Sequence, residues 1–289
     1  MDYNNIGKVI HVLRNHKGIS RLELCNGICS EKQLYRIENL QSIPTIYLVQ
    51  QLSYRLGANL TDYLIFSFCD DPVYVTHQVK TIEYYYLNRQ FINVINCIQK
   101  FDKYYYKHLE VKQLLTWYEI IAMSNEGKLT LSQNILFDLL KLSTSKSLVT
   151  LCNGYLTDNE LRIVHSIISL YCKNKEFGVA KNLLISLTKN LTNSYFSKNN
   201  SIYLQLLYNL SKLYYIENNY SNSIYTANLG ISFCRKNNFL SILPDFFIFP
   251  GSVMKQTEIF QKLLNVLRTL SFYMRYRVTT NIQKNARTI

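Results

Sequence analysis

The chain has 289 residues, of which 48% are hydrophobic, and a formal net charge of +13. This length predicts more than one domain, and no uninterrupted apolar stretch reaches the roughly 18 residues that a membrane-spanning helix needs. The N-terminus lacks the basic region and apolar core of a secretory signal, so we expect a cytoplasmic protein that does not contact a membrane.

The excess of basic residues suggests a polyanionic partner, but its distribution does not locate the binding surface. Residues 1–68 hold seven Lys and Arg against five Asp and Glu, a net charge of +2, and residues 69–289 have a net charge of +11. The seven cysteines are scattered without a CxxC pair, which favours buried thiols over a metal site. No familiar catalytic motif is present, so the sequence predicts neither an enzyme nor a cofactor.

The first three predicted helices are short and separated by tight turns. Apolar residues from Ile6 to Leu13 recur at helical spacing, and Gly18 can end this helix in the left-handed conformation. Ser20 through Glu23 fits a capping box, in which both side chains bond to free N–H groups at a helix start, and Ser30 through Gln33 repeats it. With Gly27 in the turn between them, the second and third helices are typical of a helix-turn-helix that binds DNA.

One face of the third predicted helix is polar. If Leu34 and Ile37 face the core, a rotation of about 100° per residue turns four side chains outward: Lys32, Gln33, Tyr35 and Arg36. Lys and Arg suit guanine or a phosphate, Gln suits adenine, and Tyr can pack against a thymine methyl. We predict that these four contact DNA and that Arg21, at the start of the second helix, contacts a phosphate. The alternative for each one alone is a solvated surface residue.

A domain boundary is predicted at Asp70-Asp71-Pro72. Before it, a fourth helix follows Thr45 and ends at Gly57, and a fifth begins at Thr61. Pro72 disfavours helix at the preceding residue, and the composition changes beyond it. The sequence therefore predicts a five-helix DNA-binding domain at residues 1–70 and a second all-α domain at residues 71–289.

The second domain shows a degenerate repeat. A short polar turn followed by an aromatic or Leu residue precedes a new amphipathic stretch at four places: Asn88–Phe91, Asn125–Leu129, Asn174–Phe177 and Glu217–Tyr220. Their spacing exceeds the roughly 34 residues of a tetratricopeptide repeat but suits helix pairs with longer loops. About five such pairs would stack into a right-handed superhelix whose concave surface accommodates an extended peptide. Thr157 through Glu160 fits a further capping box.

The N-terminal residues resemble the helix-turn-helix of the lambda/434 repressor type. The resemblance is carried by Ile6-Gly7 through Gly18, by Ile28-Cys29, and by Tyr35 through Asn39. In that family an Arg late in the first helix pairs with the Glu that follows the recognition helix. The resemblance therefore implies a structural ion pair between Arg14 and Glu38, and not a DNA contact.

Nearly the whole chain resembles the peptide-responsive regulators of Gram-positive bacteria grouped as Rap, NprR, PlcR and PrgX. Ile28-Cys29, Arg36-Ile37-Glu38 and Tyr208-Asn209 carry the likeness to the PlcR-like type. It implies a homodimeric transcriptional activator that binds a two-fold promoter site. It also implies quorum sensing, in which a secreted and re-imported short signalling peptide binds in the concave groove. We interpret the chain as a paralogue within this type that has its own peptide.

The resemblance implies few peptide-binding residues. Asn209 matches an Asn that bonds the peptide backbone, His165 stands where the family has another such Asn, and Arg89 is a candidate for the peptide carboxylate. The alternatives are an ordinary surface amide for Asn209 and a buried, satisfied side chain for His165. Pro244 and Pro250 would break a helix that the family has in this region, so the groove can differ here.

Two other functions fit the repeats. One is a Rap-like protein that acts on a response regulator. The N-terminal bundle of Rap proteins lacks a capped turn such as Gly27 to Ser30, so the presence of this turn argues against that function. The other is a repeat-bearing repressor without a peptide ligand.

Overall fold

The computed structural model describes residues 5–193, 201–239 and 242–247. Every regular element within these ranges is helical, which confirms the all-α prediction. The α-helices are α1 Ile6–His16, α2 Arg21–Cys25, α3 Glu31–Glu38, α4 Ile46–Leu56, α5 Thr61–Leu64, α6 Pro72–Leu87, α7 Phe91–Lys100, α8 Leu109–Asn125, α9 Gln133–Lys141, α10 Leu148–Cys152, α11 Asp158–Lys173, α12 Phe177–Asn193, α13 Ser201–Ile216 and α14 Tyr220–Lys236. Two 3-10 helices span Lys103–Lys107 and Leu243–Phe247. Of the described helices, none has the length and apolar character needed to cross a membrane.

Helices α1 to α5 share one apolar core, as the helix-turn-helix pattern predicts. Its members come from all five helices or their ends and include Ile10, Leu24, Leu34, Leu52 and Leu60. Helices α1 and α3 approach closely at Gly7, where an added Cβ atom would lie 1.9 Å from the carbonyl oxygen of Ile37. A side chain at position 7 would therefore force α3 away from α1.

The predicted helix starts are largely observed. Ser20 and Glu23 form the reciprocal capping box of α2, and Thr157 and Glu160 form that of α11. At α3 the Ser30 side chain accepts from the Gln33 N–H at 3.2 Å, but the return bond from the Gln33 side chain is not formed. The Gln33 side chain is exposed instead, so this cap is only half of the predicted box.

The described residues form two compact units, one ending at Leu131 and the other beginning at Ser132. Pro72 is the first residue of α6, where its missing N–H costs nothing, and Asp71 caps the helix by accepting from the Tyr74 N–H at 2.9 Å. Helix α6 packs against α1 and α5 as well as α7, so the first unit extends past the predicted boundary at residue 70. The boundary at residue 70 separates the predicted DNA-binding domain from the predicted peptide-binding domain, and it stays a prediction.

All four predicted repeat turns contain a residue in the left-handed conformation. These are Arg89 (φ 56°), Gly127 (φ 70°), Lys175 (φ 65°) and Asn218 (φ 59°). In each turn the next N–H bonds back to a carbonyl five residues earlier, as Gln90 does to Tyr85 at 2.9 Å, which is the Schellman ending of a helix. Within the units, α6 packs on α7, α11 on α12 and α13 on α14, as tetratricopeptide-like pairs do. The remaining turn, at Gly127, connects α8 to α9, and the last of the five predicted pairs would fall on residues outside the described ranges.

The proline-containing segment is described only from Ile242 to Phe247. It forms a short 3-10 helix that packs against α14, and Phe246 is completely buried there. A Cβ atom on Gly230 of α14 would lie 2.1 Å from the Phe246 ring, so the glycine makes room for this contact. The predicted interruption at Pro250 lies outside the described residues.

Candidate functional site

The polar face of α3 is open to solvent. Leu34 and Ile37 are buried in the core of the first unit. The four side chains predicted to contact DNA are all exposed: Lys32, Gln33, Tyr35 and Arg36. They therefore lie on one accessible helix surface, which is the arrangement that a recognition helix requires.

Glu38, the last residue of α3, is the centre of a buried ion cluster. Arg14 donates from Nε to Oε1 at 2.6 Å and from Nη2 to Oε2 at 3.1 Å, and His11 Nδ1 lies 3.2 Å from Oε2. Desolvation acts to raise the pKa of Glu38, but the hydrogen bonds from Arg14, Arg21 and His11 outweigh it and lower the pKa. The carboxylate is therefore charged, and the paired Arg14 ties α1 to the end of α3.

Arg21 lies against α3. Its Nε donates to Glu38 Oε2 at 2.6 Å, and its guanidinium lies over the Tyr35 ring, 5.2 Å from the centroid. The structure thus brings together two of the predicted DNA-contacting residues, Arg21 and Tyr35, and links Arg21 to Glu38. A guanidinium carries five N–H donors, so the bond to Glu38 leaves donors with which Arg21 can reach a phosphate.

Arg55 has a role that the sequence did not suggest. From α4 its Nη1 donates to the carbonyl oxygens of Glu23 and Leu24 at 3.3 Å and also to that of Asn26. These are free carbonyls at the end of α2, and a positive charge there is favourable. Arg55 therefore holds the turn that precedes α3. Because the partners are about thirty positions apart in the sequence, no local motif announces this contact.

His165 and Asn209, both predicted to bind peptide, are in contact in the second unit. The Asn209 Nδ2 lies 3.3 Å from His165 Nε2, which joins α11 to α13. Desolvation lowers the pKa of His165 to about 4, so the imidazole is neutral near pH 7. An amide nitrogen can only donate, and Nε2 must therefore accept while Nδ1 carries the proton. This bond leaves the Asn209 carbonyl oxygen available as an acceptor.

Arg89, the third predicted peptide contact, is in the first unit. It is exposed in the turn between α6 and α7 and has a left-handed backbone. The neighbouring Leu87 is also exposed. The structure thus makes Arg89 accessible, while its relation to the His165 and Asn209 pair stays a prediction.

The comparisons with known proteins agree with this architecture. Residues 79–271 match the model of the RNPP family C-terminal domain. PlcR from Bacillus thuringiensis, solved in complex with the peptide PapR7 and DNA, has 17% sequence identity and a TM-score of 0.68, with 98% of each chain covered. Its apo form has a TM-score of 0.53 at 17% identity, with 97% of each chain covered. No curated protein gives a significant match to the sequence.

A third similar structure comes from another genus. The SHP pheromone receptor Rgg2 of Streptococcus dysgalactiae is 14% identical, with a TM-score of 0.52, and the match covers 97% of this chain and 98% of the receptor. At these identities the solved structures establish the fold, and the family match covers well over half of the chain. The chain belongs to the RNPP family.

Proposed function

We propose that the protein is a cytoplasmic, sequence-specific DNA-binding regulator, an activator, controlled by a short signalling peptide. Residues 1–70 bind promoter DNA. Residues 71–289 bind the peptide in the groove of the helical repeats and mediate homodimerisation. The dimer places two copies of α3 on a two-fold promoter site.

The observation that carries the DNA-binding role is the exposed face of α3. Lys32 and Arg36 are cationic and free of acidic partners in the described part of the chain. The same helix is anchored from behind by the Arg14 and Glu38 pair, so its outer face is presented on a rigid element. The similar PlcR structure contains both a peptide and DNA, which supports extending these two partners to this protein.

Peptide control is supported by the polar pair in the second unit. An extended peptide presents backbone N–H and C=O groups, and the Asn209 carbonyl oxygen can accept from such an N–H. The Asn209 amide nitrogen faces His165 Nε2 at 3.3 Å, and the carbonyl oxygen is therefore turned away from the ring. A polar pair at a wall between stacked helices is suited to bind an extended chain.

Titration of the promoter region upstream of the protein's own gene tests the DNA-binding role. Replacing Lys32 or Arg36 with Ala should weaken binding by about 1–3 kcal/mol if the side chain contacts a base. If the side chain contacts a phosphate, the slope of log affinity against log salt concentration should become shallower by about one. Lys100→Ala is the matched control, because this exposed lysine lies on α7 and away from α3. Unchanged affinity and salt dependence in both α3 variants would contradict the assignment.

Calorimetry tests the peptide role. The ligands are synthetic C-terminal fragments of the small secreted peptide encoded beside the gene. We expect one fragment to bind the full chain, and Asn209→Ala to weaken this binding by roughly tenfold through loss of one buried hydrogen bond. If no fragment binds, the repressor without a peptide ligand becomes the better explanation.

A further inference from the structure

A cavity of about 430 Å³ lies between α11 and α13 in the second unit. Its wall is formed by the end of α11, the turn that follows, the start of α12 and the facing part of α13. Asn209 is part of this wall, so the cavity adjoins the His165 and Asn209 pair. The wall has an apolar part, which includes Phe177 and Leu213, and a strongly basic part.

The basic part consists of Lys173, Lys175 and Lys212. Lys173 ends α11, Lys175 follows in the left-handed position of the repeat turn, and Lys212 projects from α13. No Asp or Glu lines the cavity. Three like charges that converge on one concavity repel each other, and the arrangement is favourable only when an anion or solvent ions occupy it.

The carboxylates nearest in sequence, Glu176 and Glu217, do not line the cavity. Glu217 is paired with Lys181, with Nζ 2.7 Å from Oε2, and Glu176 accepts from Gln133 Nε2 at 3.5 Å. Across the described residues, none of the three cavity lysines forms an ion pair. Their charge is therefore available to a ligand, whereas Lys181 on the neighbouring helix is already neutralised.

The remaining wall residues indicate what kind of anion fits. The Asn209 carbonyl oxygen offers an acceptor for a backbone N–H, and the apolar part can contact a hydrocarbon side chain. A peptide offers a backbone N–H for Asn209 and an apolar side chain for the apolar part of the wall. If it also has a carboxylate beside the lysines, it complements the whole cavity. Lysine ammonium groups are compact point charges that bind a carboxylate without a strict geometry, so the site does not require a guanidinium.

We propose that Lys173, Lys175 and Lys212 form the subsite for a carboxylate of the bound peptide. The inference rests on the proposed peptide control and specifies the ligand as one that places an anionic group beside Asn209. The carboxylate is either the free C-terminus or an Asp or Glu side chain. This subsite is separate from Arg89 in the first unit, the residue that the family resemblance suggests for such a role.

The test uses the full chain and mixtures of synthetic heptapeptides labelled with fluorescein. All mixtures have the same apolar residues and differ only at their polar positions. These positions hold Asp and Glu in the acidic mixture, Asn and Gln in the neutral mixture, and Lys in the basic mixture. Each mixture is made with a free and with an amidated C-terminus. In anisotropy titrations we expect the wild type to bind the best carboxylate-bearing mixture roughly tenfold more tightly than the amidated neutral mixture, with the difference falling as salt is added.

Variants connect the preference to the cavity. The triple substitution Lys173→Gln, Lys175→Gln, Lys212→Gln should abolish the preference, and Lys212→Glu should shift it towards the lysine mixture. Lys189→Gln, an exposed lysine of α12 that does not line the cavity, should keep it. Because all these lysines are exposed, circular dichroism should show unchanged folding. The amidated arms separate a C-terminal carboxylate from an acidic side chain.

The possible failures are distinguishable. If the wild type binds all mixtures equally, or the triple variant keeps the preference, the carboxylate subsite is wrong and peptide control still stands. If the wild type binds promoter DNA but none of the mixtures, the subsite fails, and peptide control fails with it when the fragments of the neighbouring secreted peptide do not bind either.

Discussion

Arg21, the first residue of α2, donates from Nε to Glu38 Oε2 at 2.6 Å and so joins the start of one helix to the end of the next. Glu38 also accepts from Arg14 of α1, so one buried carboxylate of α3 is the common partner of two other helices, α1 and α2. The outward face of α3 depends on this arrangement, because the carboxylate fixes the end of α3 against α1 and α2.

Replacing Glu38 with Gln should destabilise the first unit. Arg14 is nearly buried, and without the Glu38 charge it has no full counter-ion. We expect the free energy of unfolding to fall by about 3 kcal/mol. The effect should appear as faster hydrogen exchange of the α1 and α3 amides. The control is Glu31→Gln, an exposed acid at the start of α3, which should leave exchange in α1 unchanged. Equal exchange in both variants would show that the cluster contributes nothing.

Arg89→Gly should stabilise the first unit. A residue with a side chain destabilises the folded state by roughly 1 kcal/mol when its backbone is left-handed, and glycine removes that strain. Glycine also increases the entropy of the unfolded chain, which offsets part of the gain. The net gain should be about 0.5 kcal/mol, measured in urea by the fluorescence of Trp117, which is the single tryptophan and is buried in α8. Gln90→Gly, at negative φ in the same turn, should instead be destabilising. A loss of stability in Arg89→Gly would contradict the strain.

Gly230→Ala should destabilise the second unit. The added methyl group would lie 2.1 Å from the Phe246 ring, and such overpacking costs about 1–3 kcal/mol. Gly178→Ala is the matched control: it places a methyl group on α12 where no atom lies within 4 Å, and it should be neutral or stabilising. Thermal denaturation followed by circular dichroism compares the two.

A double-mutant cycle assigns the Gly230 effect to its cause. Phe246→Ala is destabilising by itself because it empties a fully buried site. Combined with Gly230→Ala, the total loss should be smaller than the sum of the two single losses, since the methyl group then has space. Additive losses would show that α14 is disturbed for another reason.

The stability of the second unit should fall between pH 6.5 and about 4 because of His165. Desolvation lowers the pKa of His165 to about 4, so the folded state binds the proton less tightly than the unfolded state. This contribution to stability is fully present above pH 6.5 and is lost as the pH falls towards 4. His165→Asn should flatten the pH profile of hydrogen exchange in α11 and α13. His16→Asn, an exposed histidine of α1, should leave it as it is; parallel profiles for the two variants would contradict the assignment.

The sequence by itself determined the helical fold and the outward face of α3. Capping boxes such as Ser20 with Glu23, and helical spacing such as Leu34 with Ile37, involve residues within one turn of each other, so local chemistry is sufficient to predict them. Local sequence also predicted the positions of the repeat turns. It did not show that Arg89 and Lys175 would adopt the left-handed conformation within them.

Only the tertiary structure decided which distant residues meet. The approach of Arg21 to Glu38, the contact of His165 with Asn209, and the hold of Arg55 on the end of α2 each join positions that the chain separates by 17, 44 and about thirty residues. The convergence of the three cavity lysines has the same origin. These contacts depend on how helices pack, and packing is determined by the summed fit of many buried side chains that no local pattern records.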